Sequence, residues 1–284
     1  MQIMAYCGSN GPIILAEQTG SQAPIPAPLI IAPGTYGYNT PRYIMTAEGL
    51  YRFMSASGSY ADCGHRIVYQ SDVHSLLTGL AGVTIHGTTD ESLSNADKTN
   101  RARTGWIKMR CGHIDTWARS ILSGLGISSR SVSVLTMETS NGYDDGHVAT
   151  EVLVNGAWRL YDLTFNRAFR DGSDLPIQAK NIAANVAAGT YTDDVLVPVQ
   201  PQFDTRWYDA NAFYMSIALE AIAGLPNWTR RTFQAVGIWH TDGLCYFKIP
   251  PGSENRKSWL LSLSASYRVI DSPAQWDAMF YPGA

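Results

Sequence analysis

The sequence predicts an α+β fold. A helix beginning at Cys111 packs on an antiparallel sheet, and a C-terminal extension lies beside them. Three patterns carry this expectation. Ile114, Trp117, Ala118, Ile121, Leu122 and Leu125 recur at helical spacing behind Cys111, the stripe of a helix with one buried face. Val132 and Val134 alternate with Ser131 and Ser133, the period of a strand. Asn155-Gly156 separates two runs of β-forming residues, the strongest short signal for a hairpin with a two-residue turn.

Residues 1–42 are rich in Gly, Pro and small polar side chains. Gln22-Ala23-Pro24-Ile25-Pro26-Ala27-Pro28 cannot be helix interior, because each proline lacks an N–H and fixes φ. An N-terminal arm with a short strand at Leu29-Ile30-Ile31 is expected. Tyr43, Met45, Leu50, Tyr51, Phe53 and Met54 predict a short helix. Ser71 to Leu77 predicts another, capped by Ser71 or Asp72. Thr88 to Arg103 is polar, a loop or an exposed helix.

The Cys111 helix follows, with Gly124 and Gly126 as its stop. Ile127 to Thr136 is a strand. Asn141 to Gly146 is a turn-rich loop. With Asn155-Gly156 as the turn, Val154 faces Ala157, Leu153 faces Trp158 and Ala149 faces Asp162. Alternation then puts His147, Ala149 and Glu151 on one face with Trp158 and Asp162. Gln178 to Ala188 predicts a short helix ended by Gly189, and Asp209 a longer one stopped by Gly224-Leu225-Pro226. Trp259 to Val269 alternates as a strand, and Ser272-Pro273 caps a last helix carrying Trp276 and Phe280. The expected division is an arm at 1–42, a core at 43–170 and an extension at 171–284.

The totals narrow the function. The chain has 284 residues, 45% of them hydrophobic, and a formal net charge of -3 without a basic block. Nucleic acid is not an expected partner, since phosphate binding needs clustered Lys and Arg. No apolar run reaches the ~18 residues of a spanning helix, and no membrane partner is expected. Met1 to Cys7 has neither a basic region nor a long apolar one, so a cytoplasmic location is expected. Four cysteines (Cys7, Cys63, Cys111 and Cys245) are too sparse for a disulfide framework.

Cys111 is the candidate nucleophile. A thiol at a helix N-terminus meets unpaired N–H groups and the positive end of the dipole, and both favour the thiolate. His147 and Asp162, diagonal neighbours across the hairpin with small Ala149 between them, supply a base and the carboxylate that orients it. Taken alone, a free cysteine such as Cys111 is usually a small buried hydrophobe; the helix start and the hairpin pair favour the chemical reading.

These residues carry a resemblance. The Cys111 helix is followed by Gly126-Ile127-Ser128-Ser129-Arg130-Ser131-Val132, then by His147, Glu151-Val152, Gly156-Ala157-Trp158 and Asp162-Leu163-Thr164. In that order they resemble the transglutaminase-like superfamily of papain-like cysteine enzymes, over about residues 105–166. Ala149 stands where that family often has Trp, and Leu163 where it often has Pro. The resemblance implies a papain-like core with Cys111 as nucleophile, His147 as base and Asp162 as orienter. It implies an amide or acyl-group enzyme working through a thioester, without cofactor or metal. A peptidase or amidase acting on a peptide or protein amide is favoured over a cross-linking transglutaminase. The family also uses a side-chain oxyanion donor upstream of the cysteine; Trp106, Tyr69, Gln70 and Asn100 are the candidates here.

Other features have a structural reading beside the chemical one. Trp117 is expected on the core stripe, Trp158 in hairpin packing, Arg130 as structural or surface, and Glu151 as a buried partner to Arg130 or to another base. His113 is expected on an exposed helix face. The C-terminal aromatics from Trp207 to Phe247 form a core or line a groove. Two alternatives to the enzyme stand: a non-catalytic binding or assembly module with this fold, and a zinc site built from Cys63, His65, Cys111 and His113. Asn227-Trp228-Thr229 fits a glycosylation acceptor by coincidence.

Overall fold

A computed structural model describes residues 2–7, 12–17, 42–46, 49–55, 63–68, 73, 77, 80–81, 84–102, 107–141, 145–165, 167–170, 176–190, 192–195 and 225–283. Of the five strands before residue 70, and of residues 85, 102, 167, 192–195 and 225–227, the backbone alone is described. The chain divides into two compact units. One comprises Met1–Met109 with Leu196–Asp209, the other Arg110–Val195 with Ala210–Ala284. The expected boundaries at 42/43 and 170/171 do not coincide with this division.

In the first unit, β1 (Gln2–Cys7), β2 (Pro12–Glu17), β3 (Arg42–Thr46), β4 (Gly49–Ser55) and β5 (Cys63–Val68) form an antiparallel sheet ordered β2-β1-β5-β4-β3. Two expectations are corrected. The N-terminal arm contains a strand pair, and the helix expected over Tyr43–Met54 is a hairpin. Half of the residues that suggested a helical stripe are aromatic (Tyr43, Tyr51 and Phe53), and Gly49 sits at the join, so β preference and turn chemistry decide the local structure. Leu29–Ile31 lies outside the described residues. Of the helix expected at Ser71–Leu77, Val73 and Leu77 are described, and both are helical. β6 (Thr84–His86) pairs in parallel with β7 (Ile107–Met109), and α1 (Asn95–Ala102) lies between them in sequence. The Asp90 carboxylate accepts the Lys108 N–H at 2.8 Å and pairs with Arg101 at 3.0 Å.

The second unit is built on α2 (Cys111–Gly124) and an eight-stranded sheet. Its strands are β8 (Ser129–Leu135), β9 (Gly146–Val154), β10 (Ala157–Asp162), β11 (Arg167–Arg170), β12 (Thr192–Val195), β13 (Ala235–Trp239), β14 (Cys245–Lys248) and β15 (Tyr267–Val269). The order is β12-β11-β10-β9-β8-β13-β14-β15, antiparallel except for the parallel β14–β15 pair. The α+β class holds. The C-terminal part is not only an extension beside the sheet, because β13 bonds directly to β8 and continues it.

Successive strand residues point to opposite faces. Val132, Val134, Ala149, Leu160, Val236 and Ile238 point to one face and are buried there with Ile182 and Val186 of α3 (Ala179–Ala188), Trp228 of α4 (Leu225–Thr232), and Trp276 and Phe280 of α6 (Pro273–Phe280). On the other face α2 lies against β8 and β9. A second core gathers Leu135, Ala235, Cys245 and Phe247 around Leu260 of α5 (Lys257–Ser262).

Local chemistry matches the expected boundaries at several ends. Gly189 adopts φ 65° and closes α3 with its N–H on the Val186 carbonyl. The Ser272 hydroxyl accepts the Gln275 N–H at 3.3 Å at the start of α6, where Pro273 costs no helical bond. Two expectations fail. Leu225 and Pro226 begin a helix rather than end one; the helix expected from Asp209 lies outside the described residues. Trp259 to Val269 is not one strand: α5 occupies Lys257–Ser262, and only Tyr267–Val269 pairs. Leu260 and Trp259 follow each other, and burying Leu260 in the helix leaves Leu261 and Leu263 exposed, so the alternation there did not mark two faces of a sheet.

Candidate active site

The hairpin carries the site. Asn155 and Gly156 have φ of 51° and 80°, both in the left-handed region that a tight hairpin turn of this twist demands. The register runs Val154↔Ala157, Leu153↔Trp158, Arg159↔Val152, Leu160↔Glu151 and Tyr161↔Thr150, as the turn predicts. One step further sets Ala149 beside Asp162, and His147 two residues beyond. The methyl of Ala149 leaves the diagonal open, and His147 Nε2 lies 2.9 Å from Asp162 Oδ1. Asp162 is fully buried, and the same oxygen accepts the Phe165 N–H at 3.2 Å.

Cys111 is the first residue of α2, with extended Arg110 at the cap and no side chain satisfying the first turn. The His147 imidazole and the Val148 N–H are near enough to its thiol to act on its ionisation. With Nε2 committed to Asp162, Nδ1 is the ring nitrogen left for sulfur. Burial opposes ionisation of the thiol. The charge and hydrogen bond of His147 and the Val148 N–H outweigh it against the opposing charge of Asp162, so the thiol is held below its ordinary value. Burial likewise opposes charge on His147, but Asp162 and Cys111 together push it up to about 9. Both directions favour a thiolate beside an imidazolium. Cys245 is the contrast: buried without a cationic partner, its thiol is pushed up to about 12.

The three predicted residues are therefore brought together. What sequence reasoning missed is the wall around them. Trp228 meets the His147 ring edge-on at 5.1 Å and 75°, Phe165 stands at 5.3 Å and Phe233 at 6.1 Å. Trp228 and Phe233 arrive from a distant part of the chain, and no local pattern ties them to a histidine. Thr229 is fully buried in α4, which places the hydroxyl of the Asn227-Trp228-Thr229 tripeptide inside the fold. Asp115 was also missed. It is buried on α2, accepts from Thr150 Oγ1 at 2.8 Å and from Arg119 Nε at 2.9 Å, and burial raises its carboxyl above the usual range. Its one sequence signal was the acid–base spacing to Arg119.

Glu151 and Arg130 form the expected pair, Arg130 Nε lying 2.9 Å from Glu151 Oε2. The Glu151 carboxylate also accepts the Ala179 N–H at 2.6 Å and the Tyr281 hydroxyl at 2.9 Å. Arg130 stacks over Trp158 at 3.9 Å and donates to the Phe280 carbonyl at 2.8 Å. This network ties the hairpin to α3 and α6; it does not touch the thiol. Trp117 is buried as expected, and His113 is partly exposed on α2.

Of the oxyanion candidates, Tyr69, Gln70 and Trp106 lie outside the described residues, and Asn100 is exposed on α1 of the other unit. The side chains of Cys63 and His65 are likewise outside them; among the described residues no group of three or more His, Cys, Asp and Glu could hold a metal ion. No helix among them is long and apolar enough to cross a membrane. Comparison with protein-family models, with curated proteins and with solved structures finds no match to the chain.

Proposed function

We propose that the chain is a cysteine-dependent amide or acyl-group enzyme with a papain-like, transglutaminase-like core. The observation that carries this reading is the His147 imidazole held 2.9 Å from Asp162 at the start of the Cys111 helix, where its charge lowers the Cys111 thiol.

The thiolate attacks the carbonyl carbon of an amide, and the carbonyl electrons move to oxygen. Collapse of the tetrahedral species breaks the C–N bond. His147 gives its proton to the departing nitrogen and leaves a thioester on Cys111. His147 then takes a proton from water as it attacks the thioester, releasing the acid and restoring the thiol. Asp162 holds the imidazole and offsets its charge. Peptidase or amidase activity is preferred to cross-linking because water alone completes this cycle. A free thiol nucleophile suits a reducing compartment such as the cytoplasm.

Labelling with iodoacetamide tests the reading. Cys111 is expected to react far faster than Cys63 or Cys245, and His147→Ala is expected to slow it about a hundredfold, within the usual range for a lost acid–base group. Equal labelling of the cysteines with no dependence on His147 would sink the triad. Stoichiometric zinc by metal analysis would favour the metal-site alternative.

A further inference from the structure

A groove of about 590 Å³ runs over the face of the sheet on which α2 lies, a size typical of small-ligand and peptide subsites. One wall is the i, i+3, i+4, i+7 stripe of α2: Gly112, Asp115, Thr116 and Arg119. The floor is Ser131 and Ser133, alternate residues of β8. Trp239 and Tyr267, with ring centroids 6.2 Å apart, stand on the opposite side, and Trp239 Nε1 donates to Ser133 Oγ at 2.9 Å.

The groove has a direction. At one end, Gly112 and Val148 line it; Gly112 directly follows Cys111, and the Val148 N–H acts on the Cys111 thiol. At the other end is Arg119, seven residues along the helix and so about 10 Å away. An extended peptide covers that distance in about three residues. Arg119 spends Nε on Asp115, and its side chain is one-third exposed. Its two terminal nitrogens have no further partner among the described residues. A guanidinium so held presents a preformed fork to a carboxylate.

We propose that this groove is the acyl-side substrate subsite, taking a peptide whose carboxylate-bearing residue lies three positions from the amide delivered to Cys111 and is held by Arg119. The proposal rests on the cysteine-enzyme reading above. The acyl side is assigned because the acyl portion stays bonded to sulfur through the second step, and a channel along the helix of the nucleophile can hold it throughout. Trp239 and Tyr267 give apolar surface to the intervening side chains.

The test uses tetrapeptidyl acyloxymethyl ketones with Glu or Gln at the third residue from the ketone, reading the alkylation rate of Cys111 in the full chain by mass spectrometry. The Glu probe is expected to react about fivefold faster, the scale of a partly exposed ion pair. The Glu/Gln ratio should fall to about one in Arg119→Gln, survive in Arg119→Lys and shrink with added salt. Thr116→Trp, at an exposed helix position, should lower the rate of both peptidyl probes relative to iodoacetamide. A ratio of one in the unaltered protein, or a ratio that Arg119→Gln leaves intact, overturns the subsite. Failure of the triad is seen separately, as iodoacetamide labelling that His147→Ala does not slow. The unreactive Glu and Gln peptide amides then decide the groove by equilibrium binding, with the same ratios expected and the same result overturning it.

Discussion

Trp228 stands edge-on to His147, their ring centroids 5.1 Å apart. The indole covers an imidazole that is hydrogen-bonded to Asp162 and keeps water from competing for that bond. In a drier setting the bond is stronger. Trp228→Ala should destabilise the fold by about 3–5 kcal/mol, the usual cost of deleting a buried large aromatic. Trp228→Phe should keep most of that stability yet slow alkylation of Cys111. Urea denaturation and labelling rates separate the two effects, and labelling that is unaltered in the Phe variant would deny Trp228 any part beyond packing.

The paired shifts of Cys111 and His147 set a pH profile. Thiolate appears as pH rises through the lowered thiol value, and the imidazolium disappears as pH rises through about 9. Iodoacetamide reactivity should therefore rise below the ordinary thiol value and stay level once the thiolate has formed. Turnover of an amide, which also needs the imidazolium proton, should be bell-shaped. Stability follows the same signs. The raised His147 stabilises the fold fully below its unfolded value of about 6.5 and progressively less as pH climbs toward about 9. The lowered Cys111 thiol acts oppositely, its contribution being lost as pH falls through its folded value. A single rise in reactivity at the ordinary thiol pKa would contradict the ion pair.

Asp162→Asn preserves size and can still accept the Phe165 N–H, but it removes the charge that holds the imidazolium. Alkylation of Cys111 near neutral pH should drop about a hundredfold or more. The pH above which amide turnover declines should move down, because the charge that raises His147 is gone. Kinetics across a pH series measure both.

Glu151→Ala strips the carboxylate from Arg130, from the Ala179 N–H and from the Tyr281 hydroxyl at once. Leaving a nearly buried guanidinium unpaired should cost about 3–5 kcal/mol. Arg130→Met with Glu151→Leu should recover only the part due to the unpaired guanidinium, because the Ala179 N–H and the Tyr281 hydroxyl still lose their acceptor. Thermal denaturation of the single and double variants decides it.

How much was legible depended on how local each signal was. The hairpin register followed from two turn residues and a strict alternation, so His147 and Asp162 could be set side by side without coordinates. Cys111 could be placed at a helix start because the stripe behind it was unambiguous. Tyr43–Met54 and Trp259–Val269 misled for the same physical reason: a short apolar run fits either period, and its partners decide. The aromatic wall was unreadable, because Trp228 and Phe233 meet His147 only after the sheet assembles. The buried Asp115 hid in an ordinary acid–base spacing on a helix.

The bond between β8 and β13 has a consequence for how the protein is made. Leu135 and Ala235 are partners, yet the ribosome delivers Leu135, and with it Cys111, His147 and Asp162, long before Ala235. Contacts between such distant segments form late, since the loop between them must close first. The nascent chain therefore holds these three side chains without the strand that completes the middle of the sheet and without the indole that shelters the imidazole. Cys111 thus meets its finished surroundings only once the rest of the polypeptide has been synthesised.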